Sequence, residues 1–223
     1  MESFASILKQ AAARKGGHAA LLALLPKAAS ETTLRDRPDD RYLAEMTGAV
    51  FRSGFVWQII EKKWPDFETA FAGFDINTCA LLGEEQLEAL CANPRIVRNA
   101  AKIRSVPRNA AFVLEIREAH GSFGQWLANW PTEDFVGLWE QLKRRGDRLG
   151  GQTGRFFLRF VGKDTPLLSP DVVRALISQR VIDKEPTSAR DLQKVQVAFN
   201  AWREESGQEL CRISRVLACS VGE

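Results

Sequence analysis

Histidine and cysteine are scarce. The 223 residues hold only His18 and His120 and four cysteines, Cys79, Cys91, Cys211 and Cys219. No two cysteines form a C-x-x-C pair and neither histidine lies beside one, so neither a zinc cluster nor a disulfide framework is expected. The four thiols read as buried or idle, and nothing in the pattern asks for a metal or a cofactor. Long apolar runs are missing too. The longest, Ala19 to Leu25, falls far short of the roughly 20 residues that cross a bilayer. The N-terminus has no basic start, apolar middle and small-residue cleavage site. No membrane association and a cytoplasmic location are therefore expected. Period-two alternation never persists beyond four residues, and no internal repeat or low-complexity tract occurs, which argues against a sheet and against a solenoid.

What remains is a chain that is 45% hydrophobic and 26% charged, enough for one good-sized core or two small lobes. Its net charge of +3 is unevenly spread. Residues 89–114 contain no acid and carry +5 through Arg95, Arg98, Lys102, Arg104 and Arg108; residues 141–163 carry +6; everything else sums to −8. Two basic blocks on an otherwise acidic protein suit a polyanion bound on one face, although solvated basic helices give the same pattern.

Helical spacing runs along almost the whole sequence. Segments of about 41–51, 54–63, 65–72, 84–92, 98–118, 122–130, 132–145, 152–161, 170–180, 188–205 and 208–219 read as helices, after a first forty residues that look like an appendage. Start signals support several of them: Pro65 as a first-turn proline, Thr132 before Glu133 and Asp134, and Ser169-Pro170-Asp171 with cap, proline and acid together. The class is all-α.

Three segments carry candidate chemistry. Between Leu138 and Phe157 an apolar helix runs into a basic end, then Gly150 and Gly151, then a second helix through Thr153, Gly154 and Arg155. Glycines let a ligand approach the backbone, and the free N–H groups of the second helix point outward with the positive end of its dipole. A DNA phosphate fits there, with Arg148 and Arg155 adding counterion-release affinity; an ordinary capped helix and loop fits equally. The second segment, Asn93 to Ile103, is another short turn with Arg95, Arg98 and Lys102 on and after it. The third, Phe51-Arg52-Ser53-Gly54-Phe55-Val56-Trp57, sets aromatics at a helical break. Trp57 can wall a planar ligand and Phe55 can wedge between bases, or both can simply be core.

Together these residues resemble the 3-methyladenine DNA glycosylase I branch of the helix-hairpin-helix DNA glycosylases. Tyr42 to Met46 followed by Gly54 to Lys63 resembles that family's first aromatic-bearing helix pair. The stretch from Phe67 to Phe74 and Ile76 is similar to the segment after it. Arg95 to Ile103 resembles its basic turn, and Leu142 to Thr153 its DNA-gripping hairpin. The likeness covers about Arg41 to Arg180, and joint order rather than any single motif carries it. It implies a two-lobed helical fold with a central cleft, residues 41–223 forming the domain and 1–40 the appendage. It implies a monomer that binds duplex DNA containing an alkylated base and hydrolyses the N-glycosidic bond of that base once flipped. On this likeness Trp57 is the base-stacking tryptophan, Phe55 the intercalating residue, and Gly150, Gly151 and Thr153 hold phosphates. Three departures stand out. The family's base-recognising glutamate, eight residues before the tryptophan, is Ala49 here; its zinc-binding cysteine and histidine positions and its pocket tyrosine have no counterpart. Other helix-hairpin-helix glycosylases place a catalytic aspartate near Ser169, which makes Asp171 the candidate for orienting water or stabilising the sugar cation, beside its plainer part at a helix N-terminus. A catalytically silent relative that recognises damaged or bent duplex, and a helical protein-interaction module, remain open alternatives.

Overall fold

The structure, a computed structural model, describes residues 1–222, and among them there is no strand. Fifteen α-helices follow in order: α1 Phe4–Arg14, α2 His18–Leu22, α3 Glu31–Asp36, α4 Asp39–Arg52, α5 Trp57–Ala70, α6 Ile76–Ala80, α7 Glu84–Ala92, α8 Ala100–Ile103, α9 Ser105–His120, α10 Phe123–Asn129, α11 Phe135–Arg145, α12 Gly151–Val161, α13 Pro170–Ser178, α14 Ala189–Ser206 and α15 Leu210–Ser220. The all-α class expected from periodicity is what forms. None of these helices is long and apolar enough to cross a membrane.

The chain divides into two compact units. The first joins residues 1–29, 131–138 and the described residues from 162 to 222. Phe4, Ile7 and Ala11 lie at i, i+3 and i+7 on one side of α1, are all buried, and pack that helix against α15. Phe135 meets Phe199 edge-on at 6.0 Å, and Trp202, fully buried, donates its indole N–H to the Glu2 carbonyl at 3.1 Å. The start of α15 lacks a side-chain cap of its own; Asp164 supplies one from a distant loop, accepting from the Leu210 and Cys211 amides at 3.0 and 2.8 Å. The grouping of residues 1–29 with the C-terminal helices differs from the expected boundary at residue 40.

The second unit comprises residues 30–130 and 139–161 and is built around α4, nine of whose fourteen residues are buried. Helices α5, α9, α10 and α12 all pack on it. Its N-terminal half is held by Tyr42, whose hydroxyl donates to the Leu34 carbonyl at 2.6 Å and whose pKa burial pushes up to about 12. Its C-terminal half meets Phe67 through Phe51, 4.7 Å between ring centres.

Pro65 does not start a helix; it lies inside α5, which runs unbroken from Trp57 to Ala70. An interior proline costs roughly 3 kcal/mol. Here Trp64, Phe67, Phe71 and Phe74 stack face on face around it, holding both halves of the helix to one aromatic wall. The short α6 escaped the periodicity argument, though its start signal is present: Asp75 caps it by accepting from the Thr78 amide at 2.8 Å.

Candidate base pocket and nucleic-acid interface

Four residues turn the chain between the end of α4 and Trp57, the first residue of α5. The last carbonyls of a helix lack partners within it, and here Lys102 of α8 supplies the donor. Its Nζ donates to the Phe51 oxygen at 3.2 Å and to the Ser53 oxygen, and lies 4.5 Å from the centre of the Phe55 ring. Burial, with the charge of Arg148 adding to it, holds the Lys102 ammonium below its usual pKa. The expectation that Lys102 touches DNA is corrected accordingly: it is only 7% exposed and its ammonium is committed to the turn. Phe55 itself, at 39% exposure, stands on the outside of that turn.

Behind the turn lies a recess of about 230 Å³. Ala49, Arg52, Ser53, Gly54 and Trp57 form one side; Gln152, Thr153, Phe156 and Phe160 of α12 form the other. The Trp57 indole, 40% exposed, meets Phe156 at 5.4 Å and Phe160 at 5.6 Å, both edge-on. The two phenylalanine rings stack on each other at 5.9 Å. Such contacts fix the indole in place and leave part of it open. Drug-sized pockets run to roughly 300–1,000 Å³, so this recess suits something the size of a nucleobase. A larger hollow of about 400 Å³ near Asp39 and Arg117 has charged walls and no aromatic side chain.

The two basic bends meet beside this site. Arg148, in the left-handed region at φ 63°, donates from Nε to the Ala101 carbonyl at 3.2 Å. One residue earlier, Asp147 exchanges two hydrogen bonds with Asn109 of α9, at 2.7 and 3.1 Å, and pairs with Arg108 at 2.8 Å. The hairpin before α12 is thus tied by side chain-to-main chain bonds to α8 and to the start of α9. Lys63 of α5 holds the turn before α8, donating to the Pro94 and Arg95 oxygens at 3.0 and 2.6 Å.

Of the residues expected at phosphates, Arg95, Arg98 and Arg148 are exposed, and Gly150 and Gly151 lead into α12. Thr153 stands in the recess wall, so the hairpin opens directly onto the recess. Gly154 has a different part. It is buried, and a Cβ there would sit 2.2 Å from the Leu149 oxygen, so its contribution is to close the hairpin. Arg155 lays its guanidinium over the Trp139 ring at 4.3 Å. Asp171 belongs to the first unit, where it pairs with Arg174 at 2.5 Å near the start of α13.

Sequence reasoning missed Arg52, Phe156 and Phe160. Their signal was spacing: Phe156 and Phe160 are four apart on α12, as are Gly48 and Arg52 on α4, and residues so spaced share a helix face.

The sequence pattern of the methyladenine glycosylase family matches residues 35–146, a span that includes α4, Trp57 and the turn before α8. This chain belongs to that family. It is a DNA-repair glycosylase of the N-glycosyl hydrolase class. Among solved structures, the glycosylase is similar to Staphylococcus aureus 3-methyladenine DNA glycosylase I, with 22% identity and a TM-score of 0.51 over 59% of this chain and 83% of that one. It is also similar to the 8-oxoguanine DNA glycosylase of Thermotoga maritima, at 15% identity and a TM-score of 0.51 over 96% and 95%. The Methanocaldococcus jannaschii 8-oxoguanine glycosylase/lyase, solved with a DNA 15mer containing 8-oxoguanine, gives 15% identity and 0.50 over the same shares. These likenesses are of fold, the all-α helix-hairpin-helix glycosylase fold.

Proposed function

We propose that this glycosylase binds duplex DNA as a monomer, receives a flipped alkylated purine in the recess beside Trp57, and hydrolyses its N-glycosidic bond. The observation that carries this reading is the part-open indole at the mouth of a base-sized recess. The flipped base lies on the indole face, Phe55 fills the space it leaves in the stack, and Arg95, Arg98 and Arg148 with the start of α12 take backbone phosphates. An alkylated purine is already a good leaving group, so holding the base and the bent duplex supplies most of what the reaction needs. Water adds at the sugar C1′ as the C1′–N bond breaks, the bonding electron pair leaves with the base, and the water gives up a proton to bulk solvent.

Incubation with dimethyl-sulfate-treated duplex, followed by chromatography of the released bases, tests the reading. Free methylated purine and an abasic site in the DNA are expected; absence of any released base overturns it.

A further inference from the structure

The first unit carries an open-sided groove of about 620 Å³ that the base recess does not involve. Its lining surface is mainly apolar, from Met1, Val181, Val197 and Ala198, and its charged members are Arg180, Arg190 and Lys194. On α14, Arg190, Lys194, Val197 and Ala198 recur at i, i+4, i+7 and i+8 and so share one face, while the opposite face buries Val195, Phe199 and Trp202 in the core. Val197 is left 61% exposed. The end of α13 supplies the rest. Arg180 donates its amide to the Ile177 carbonyl at 2.9 Å and Val181 to that of Leu176 at 3.0 Å, the paired bonds of a Schellman cap. Such a cap favours glycine at the left-handed position, yet Arg180 occupies it at φ 56°, where a side chain costs about 1–2 kcal/mol. Met1 is brought to the groove by Glu2, which exchanges two hydrogen bonds with Gln179 at 2.7 and 3.0 Å.

The cations of this groove are largely unspent. Lys194 pairs with Asp191 at 3.2 Å, but Arg180 and Arg190 pair with no carboxylate among the described residues. No carboxylate lines the groove; Asp183 and Glu185, between α13 and α14, are exposed outside it. Two free arginines beside exposed apolar surface set two conditions on an occupant. A nucleic-acid backbone meets the first only, because charged phosphates laid over Val197 and Met1 lose hydration and find no hydrogen bond there. A second copy of this chain meets the second only, because a two-fold contact sets the patch against itself and brings like charges together. An acidic peptide segment with a bulky apolar side chain meets both: its carboxylates reach the guanidiniums and its apolar side chain covers Val197.

We propose that this groove is a docking site for a partner protein, which it holds through a short acidic segment carrying at least one large apolar residue. The site is separate from the base recess in residues and in chemistry, and it stands whether or not the flipped-base reading does.

A phage-displayed library of random 12-residue peptides, selected on the full-length protein, is the probe. Enriched sequences should combine Asp or Glu with Phe, Leu, Ile or Trp. A fluorescein-labelled peptide of that kind should bind in anisotropy titrations, more weakly as salt rises. Arg180→Glu, Arg190→Glu and Val197→Asp should each weaken it at least 10-fold with wild-type melting curves, and Arg190→Lys should stay within about 3-fold. Replacing the peptide's apolar residue by Ala should also cost at least 10-fold. No enrichment, enrichment of sequences without acidic residues, or a peptide indifferent to all three groove variants overturns the proposal. Two further measurements separate the rival occupants. Affinity of Arg180→Glu and Arg190→Glu for undamaged duplex should stay within about 2-fold of wild type, and a 10-fold loss would reassign the groove to nucleic acid. Sedimentation of the wild type and Val197→Asp should coincide; a wild-type dimer that Val197→Asp dissolves would reassign it to self-association.

Discussion

The ammonium of Lys102 lies 4.5 Å from the centre of the Phe55 ring while donating to the Phe51 and Ser53 carbonyls behind it. One cation thus closes the C-terminal end of α4 and underpins the aromatic residue assigned to enter the DNA stack. It also links that turn to the basic bend from which it comes.

Lys102→Met leaves both carbonyls unpaired and should lower stability by about 1–3 kcal/mol, read as a lower urea midpoint at unchanged slope. Base release should fall by more than duplex affinity does, because the exposed Arg95, Arg98 and Arg148, proposed to take phosphates, remain.

The same lysine gives stability a pH dependence. Its pKa is lowered in the folded protein, by burial first and by Arg148 second. The folded state therefore sheds this proton before the unfolded chain does, and in the window below the ordinary lysine value of about 10.4 the unfolded chain holds the extra proton. In that window stability attributable to Lys102 rises with pH. Urea midpoints measured from pH 8 to pH 10.5 should show the wild type gaining on Lys102→Met; a constant gap would contradict the assignment.

Trp57→Ala should reduce base release by about 10- to 100-fold, the 1–3 kcal/mol of a base–aromatic stack, with duplex affinity within a few-fold. Trp57→Phe should retain an intermediate rate. Equal loss of release and binding, together with a lowered melting temperature, would mark the indole as packing only.

Binding to undamaged duplex should weaken linearly in log salt. Arg95→Gln and Arg98→Gln should each reduce the slope by about 1 and leave stability unchanged. Arg148→Gln should do the same and in addition lower the melting temperature, since it severs the bond to the Ala101 carbonyl.

Gly154→Ala places a methyl group 2.2 Å from the Leu149 oxygen. The hairpin must open to admit it, at about 1–3 kcal/mol, and both stability and duplex affinity should drop. A variant with wild-type values in both measurements would show that the hairpin's closure is not what positions it.

Much of this was legible in the sequence. Helical periodicity found nearly every long helix, Ser169 caps α13 by accepting from the Val172 amide as its S-P-D start implies, and Trp57 and Phe55 stand at a turn. What was hidden shares a cause: tertiary packing decides it. Pro65 sits mid-helix because four stacked rings hold the helix together around it. Lys102 looks like any basic-block residue until the turn of α4 arrives above it, and Arg52 becomes a wall of the recess only when α12 brings Phe160 beneath its guanidinium. Charge counting locates cations along a chain; it does not say which of them already have a task inside.

The packing of α1 on α15 sets a practical boundary for anyone shortening this protein. A fragment trimmed to start at Arg41, where the family likeness begins, would strip Phe4, Ile7 and Ala11 from their seat. The oily flank of the last helix would then face water, and such a fragment would clump in the tube while the unit built around α4 was still intact.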